Sequence, residues 1–115
     1  FQKNIKPVLI GLNDDKEVID KILLETSSAL NLINASPLTT VFSLSKNAIG
    51  ALSNDTGPAH LIASTGCKLH LVLSSFSKIS QVIPVGANVS YTQKKNINDI
   101  KPAEIIVVLK KMLSI

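Results

Sequence analysis

Ser53-Asn54-Asp55-Thr56-Gly57-Pro58-Ala59-His60-Leu61 decides how the rest of the chain is read. Ahead of it, Ile49-Gly50-Ala51-Leu52 is short and apolar, the pattern of a buried strand. Behind its start, Ala59 to Ser64 reads as the first turns of a helix. A polar turn with Gly and Pro between a buried strand and a helix is where open α/β sheets bind ligands, at the carboxyl ends of the strands.

The order of residues in the turn sharpens this. Proline is favoured at the first helical position, where its missing N–H costs nothing. Pro58 in that place makes Gly57 the N-cap, without a side chain to bond the N–H groups of Ala59 and His60. Those donors and the positive end of the helix dipole then suit an anion such as a phosphate. Thr56 adds a hydroxyl beside the helix start, and His60 an imidazole N–H. The alternative is that Asp55 or Thr56 caps the helix and nothing binds, since Gly is also tolerable as a cap.

Working outward, Pro7-Val8-Leu9-Ile10-Gly11 is an apolar run closed by glycine, the pattern of a parallel strand. Asp14 or Asp15 then caps a helix running to about Leu30, with Val18, Ile19, Ile22 and Leu23 on its buried stripe. In that helix Asp15 and Glu17 are most simply acids in a first turn, where the dipole favours them. Leu32-Ile33 is a short strand, and Ser36-Pro37 opens a helix to Lys46 or Asn47. The helix after the central turn stops at Gly66. Leu69 to Leu73 is the next buried strand, with His70 as a core or edge histidine rather than a ligand. Ser74-Ser75-Phe76-Ser77-Lys78 follows as a polar loop on the same sheet edge as Asp55 to His60, where Ser74 and Ser75 offer further hydroxyls. Pro84-Val85-Gly86 makes a turn and Val89-Ser90-Tyr91 a short strand. The closing helix is capped by Asn98 or Asp99, holds Pro102 in its first turn, and buries Ile105, Ile106, Leu109, Met112 and Leu113. Alternating strands and helices of this kind predict an α/β fold, a parallel sheet with helices on both faces.

Bulk properties narrow the function classes. At 115 residues the chain suffices for one domain with its own core. Three Phe, one Tyr and no Trp leave the core to aliphatic residues. A net charge of +4 comes from lysines spread from Lys3 to Lys111 without a dense patch, which argues against nucleic-acid binding and leaves room for loose attraction to an anionic membrane surface. Cys67 is single, so there is no disulfide framework and no Cys/His metal spacing, in keeping with a reducing cytosolic compartment. A lone Cys beside a Gly at a helix-to-strand junction is read as a small buried residue. No apolar run has the length of a membrane span. A first residue of Phe rather than Met fits an excised or processed piece.

The string Asp55-Thr56-Gly57-Pro58-Ala59-His60-Leu61, with Ala63 and Gly66 following, resembles the signature of glycosyltransferase family 9, the ADP-heptose:lipopolysaccharide heptosyltransferases. The resemblance extends in register to Pro7–Gly11 with Asp15 and Glu17, and to Lys68–Leu73. It implies the Rossmann-like C-terminal, nucleotide-sugar-binding domain of a two-domain GT-B enzyme, spanning residues 1–115. Asp55, Thr56, Gly57, Ala59 and His60 would hold the donor's diphosphate and proximal sugar, and Glu17 or else Asp15 the ribose. The implied reaction moves heptose from ADP-heptose to a lipopolysaccharide-core hydroxyl, without metal or cofactor, in the bacterial cytoplasm or at the inner face of the inner membrane. The general base and acceptor site would lie in an N-terminal domain absent from this chain. The opening strand and helix of the C-terminal domain, with a donor-binding lysine, would be absent too, so the chain alone would bind donor weakly at best and would not catalyse. Their loss would also leave a sheet edge or helix face open to self-association. One departure is local: the family's Phe-Gly-Pro-like turn is replaced by Ser74-Ser75-Phe76, which loses a glycine's freedom beside a phosphate.

Two competing expectations accompany this one. Asn13-Asp14-Asp15, Asp55 as phosphoacceptor, Ser74, Gly86-Ala87 and Lys101-Pro102 imitate the residue set of a response-regulator receiver domain, although the gap from Tyr91 to Lys101 is too long for it. The other is a degenerate module that keeps the fold as an interaction surface.

Overall fold

The computed structural model describes residues 5–11, 16–25, 29–54, 57–74 and 88–114. Among the described residues strands and helices alternate as far as the fourth strand, every strand pair is parallel, and the fold class is α/β, as the residue pattern predicts. The chain divides into two compact units, Phe1–Val41 and Phe42–Ile115.

In the first unit β1 (Val8–Gly11) pairs with β2 (Leu30–Ile33), Val8 opposite Leu30 and Gly11 opposite Ile33. Backbone bonds from Leu30 N–H to the Pro7 carbonyl (2.9 Å) and from Asn34 N–H to the Gly11 carbonyl (2.8 Å) continue the ladder at both ends. Asn34 turns the chain with φ 58°, a left-handed conformation that Asn tolerates better than most residues. Helix α1 spans Lys16–Glu25 and packs against β2. It cannot run to Leu30 as expected, because Leu30 is claimed by the ladder to β1 and is extended. Its expected stripe is also corrected: Val18 is 60% exposed and Ile22 37%, while Leu23 is half-buried. The expected caps Asp14 and Asp15 lie outside the described residues.

Helix α2 (Leu38–Asn47) crosses the boundary between the units. Pro37, expected inside it, precedes it and accepts the Val41 N–H at 3.0 Å. Val41 and Ser45, one turn apart, are its buried positions.

The second unit holds β3 (Ala51–Ser53), β4 (Leu69–Ser74) and β5 (Val89–Lys94) in that order. Ala51 lies opposite Leu69, and Leu69 opposite Val89. Among the described residues only β4 has a strand on each side in this sheet. Its alternation is complete: Leu69, Leu71 and Leu73 on one face have no exposure, and His70 on the other has 2%. By contrast β3, expected as a buried strand from Ile49, begins at Ala51 and leaves Leu52 49% exposed, because it has one ladder partner in this sheet. The last strand runs three residues beyond the expected Tyr91, to Lys94.

Between β3 and β4, helix α3 spans Gly57–Ser64 and packs on β4, and its Ala59, Ile62 and Ala63 are buried. It ends as expected. Thr65 N–H bonds the Ile62 carbonyl (3.2 Å), Gly66 N–H the Ala63 carbonyl (3.0 Å), and Gly66 takes φ 81°, which glycine adopts without strain. The thiol of Cys67 is buried and its pKa is pushed up by that burial.

Helix α4 spans Pro102–Leu113. Its expected caps Asn98 and Asp99 instead form a separate 3-10 turn, Ile97–Asp99, capped by the Asn96 side chain on the Asn98 N–H (3.0 Å). Lys101 is the N-cap, and its backbone N–H donates to Glu104 Oε1 at 2.7 Å. Ile105 is buried, and Val108, Leu109, Met112 and Leu113 are half-buried. Ile106, expected on this stripe, is 51% exposed, since one residue past Ile105 turns it about 100° away from the packed face. Gly50 sits against the Leu113 side chain, where a Cβ would collide. No helix among the described residues is long and apolar enough to cross a membrane.

Candidate functional site

Parallel register puts the carboxyl ends of β3, β4 and β5 on one edge of their sheet. Ser53 is opposite Leu71, and β4 continues past it to Ser74, opposite Lys94. After Ser53 the chain passes Asn54 and enters α3 at Gly57, so this helix begins close in sequence to the strand end. Gly57 is the first helical residue and Pro58 the second, one place earlier than the sequence pattern predicts. The preceding residue, Thr56, lies outside the described residues. Both expectations for the helix start stay chemically open, a threonine hydroxyl closing the N–H groups or an anion doing so.

The candidate residues distribute as follows. Gly57, Ala59 and His60 share the first turn of α3. Ala59 has no exposure, so its methyl group allows the helix to lie close on β4, whereas His60 is exposed to solvent. Ser74 ends β4, half-buried, and its carbonyl accepts from Gln93 Nε2 at 2.8 Å. Asp55, Thr56, Ser75 and Asp15 lie outside the described residues. Glu17 is in the first unit, exposed in the first turn of α1, with Lys21 Nζ at 3.9 Å. Thus Gly57, Ala59 and His60 are joined on one helix start, Ser74 ends the adjacent strand, and Glu17 belongs to the other unit. Of the receiver-like set, Asn13, Asp14, Asp15, Asp55, Gly86 and Ala87 also lie outside the described residues, while Lys101 caps α4.

Three residues on the carboxyl edge were not legible as such: Gln93, Lys94 and Glu104. Lys94 Nζ lies 2.9 Å from Glu104 Oε1 and donates to the Asp99 carbonyl at 3.2 Å, tying the end of β5 to the start of α4. The Lys101 backbone N–H and then Lys94 hold the Glu104 carboxyl below its ordinary pKa. Thr92, a β-branched residue, was the signal that the last strand continues past Tyr91.

His70 behaves as the core histidine that the sequence predicts. Its Nδ1 is 2.7 Å from Ser90 Oγ and its Nε2 2.7 Å from Thr92 Oγ1, both on β5. A neutral imidazole donates through one nitrogen and accepts through the other, which two hydroxyls satisfy in either tautomer. Burial lowers its pKa and so favours this neutral form. Among the described residues no group of three or more His, Cys, Asp or Glu side chains gathers as a metal site.

No protein-family model and no curated protein matches the chain. Among solved structures, the crystal structure of the glycosyl transferase family 9 from Veillonella parvula DSM 2008 is similar, with a TM-score of 0.83 at 15% identity. The match covers 95% of this chain and 36% of that one, so the chain spans about a third of its length. At this identity the likeness shows the fold, an α/β arrangement shared with part of a glycosyltransferase.

Proposed function

We propose that this chain is the donor-binding portion of a glycosyltransferase of the family 9 type. The observation that carries the proposal is the start of α3 at Gly57-Pro58, immediately after the carboxyl end of a parallel strand. The fold shared with the Veillonella parvula structure supports it. The donor is a nucleotide sugar, ADP-heptose by resemblance of the Asp55–Leu61 string, and the acceptor a lipopolysaccharide-core hydroxyl.

In this proposal the diphosphate lies at the N-terminus of α3. The N–H groups of Ala59 and His60, the Thr56 hydroxyl and the His60 imidazole face its oxygens, while Asp55 contacts the proximal sugar. Ser74 and Ser75 border the site, and a ribose role for Glu17, or Asp15 in its stead, rests on the resemblance alone. As the leaving diphosphate gains charge, fixed donors at the helix start stabilise it more than they stabilise the intact donor. No metal is needed for that. The carboxylate base that deprotonates the acceptor belongs to a part of the enzyme outside this chain. Work at the cytoplasmic face of a membrane follows from the acceptor class.

An amide NMR titration with ADP, UDP or inorganic phosphate, with and without Mg²⁺, tests the proposal. Metal-independent shifts at Gly57, Ala59 and His60 under ADP, weakened in His60→Ala, are the expected result. Shifts that require Mg²⁺ and centre on Asp14, Asp15 and Asp55 would replace it with the receiver reading. Silence with every ligand would leave a glycosyltransferase-like fold that holds no donor.

A further inference from the structure

Helix α4 turns one face inward through Ile105, Val108, Leu109 and Met112 and the opposite face to solvent. A surface helix ordinarily fills its outer face with polar residues of both signs. On α4 that face carries Ala103, Ile106, Val107, Lys110 and Lys111, with Ile106 51% and Val107 67% exposed. The helix has one carboxylate, Glu104, and it is engaged by Lys94 and the Lys101 backbone. Lys110 and Lys111 are exposed, as is Lys68, and among the described residues no carboxylate pairs with any of the three. Lys68 and Lys111 border an open groove of about 370 Å³, lined also by Val89, Val108 and Met112. Lys68 precedes β4, and Val89 opens β5 just after Asn88. The groove therefore lies at the amino ends of these strands, away from the carboxyl edge that holds the candidate donor site.

From this face we infer a docking surface for an anionic lipid bilayer. The residues select among occupants. A second copy of the same face would bring more lysines against Lys110 and Lys111 and no acid to meet them. An extended acidic peptide would be held by the groove, yet Ile106 and Val107 stand outside it, on the convex side of the helix. A bilayer supplies both requirements at once, acidic headgroups for the three lysines and an apolar layer for two exposed aliphatic side chains. Lysine stems can lie along that layer while their ammonium groups stay among the headgroups. The net charge of +4 adds attraction in the same direction.

The test is cosedimentation of the full chain with vesicles of phosphatidylcholine containing phosphatidylglycerol, beside vesicles of phosphatidylcholine alone. Binding to the anionic vesicles, little to the neutral ones, and release by added salt are expected. Each lysine near an anionic surface contributes about fivefold in affinity, so Lys110→Gln with Lys111→Gln should weaken binding by about thirtyfold. Val107→Glu should weaken it as well, and Lys21→Gln, in the first unit, should not. These positions are exposed, so circular dichroism should report the same fold in each variant. Failure to bind, equal binding to both vesicle types, or unchanged binding in the double lysine variant would overturn the inference. So would self-association in sedimentation velocity that Val107→Glu abolishes, which would assign the face to a second copy. Binding of an acidic peptide that blocks the vesicles' access while phosphatidylglycerol has no effect would assign it to a protein.

Discussion

Strands β2 and β4 are written alike and end up in different surroundings. Leu30-Asn31-Leu32-Ile33 and Leu69-His70-Leu71-Val72 both alternate leucine with a polar residue before an aliphatic end. In β4 the leucines are fully buried, whereas Leu30 is 41% exposed. The polar residues differ in the same way. Asn31 is exposed and bonds locally, its Oδ1 accepting the Ile33 N–H at 3.0 Å. His70 is buried and bonds across to the neighbouring strand. The difference lies in sheet position: β4 has a ladder partner on each side and β2 has one within its sheet. Hydropathy proposes a strand, and the number of its neighbours decides how much of it leaves water.

The largest effect should come from β4. Leu71→Ala removes a fully buried side chain between two strands and should cost about 2–5 kcal/mol, read from the urea midpoint of unfolding. Next comes His70→Leu, which strands the hydroxyls of Ser90 and Thr92; because Ser90 reaches solvent, the cost should be about 1–2 kcal/mol. Adding Thr92→Val to that variant should recover part of the loss. The same histidine gives a pH signature. Its folded pKa lies below the ordinary imidazole value, so the unfolded chain takes up its proton first. Its contribution is therefore complete above the ordinary imidazole pKa and is lost as pH falls through the lowered one. Urea midpoints at neutral and mildly acidic pH should diverge in the parent and converge in His70→Leu. The smallest effect should be Leu30→Ala, about 1 kcal/mol or less at a partly exposed position. A loss there equal to that of Leu71→Ala would break the comparison, by showing that β2 is covered in solution as fully as β4.

Much of the architecture was legible because its signals are local. Gly66 announces the end of α3 through the one conformation that glycine takes cheaply, and the Leu69–Leu73 alternation announces a strand. Spacing also placed Ile105, Leu109 and Met112 on one helix face. What escaped depends on distant partners. Leu30 looks like the continuation of a helix until β1 is known to pair with it, and nothing local tells that Val18, Ile22 and Leu52 lack cover. Lys94 and Glu104 meet only because β5 runs farther than Tyr91. For the candidate site, the strand-turn-helix pattern placed Gly57, Ala59 and His60 at one helix start, whereas the assignment of Glu17 came from resemblance rather than from local chemistry.

The parallel pairing has a further consequence, in time rather than in energy. Val8 meets Leu30, Ala51 meets Leu69, and Leu69 meets Val89, so none of these three ladders can start from a tight turn. Each pairing must first close a loop of some twenty residues, on the order of 3 kcal/mol in ring-closure entropy, before any backbone bond repays it. Helices can flicker in the unfolded chain, but the sheet has no inexpensive first step. Refolding should therefore be slow for so short a chain, milliseconds to seconds rather than microseconds, and its rate should be sensitive to substitutions that join β3 to β4 through α3.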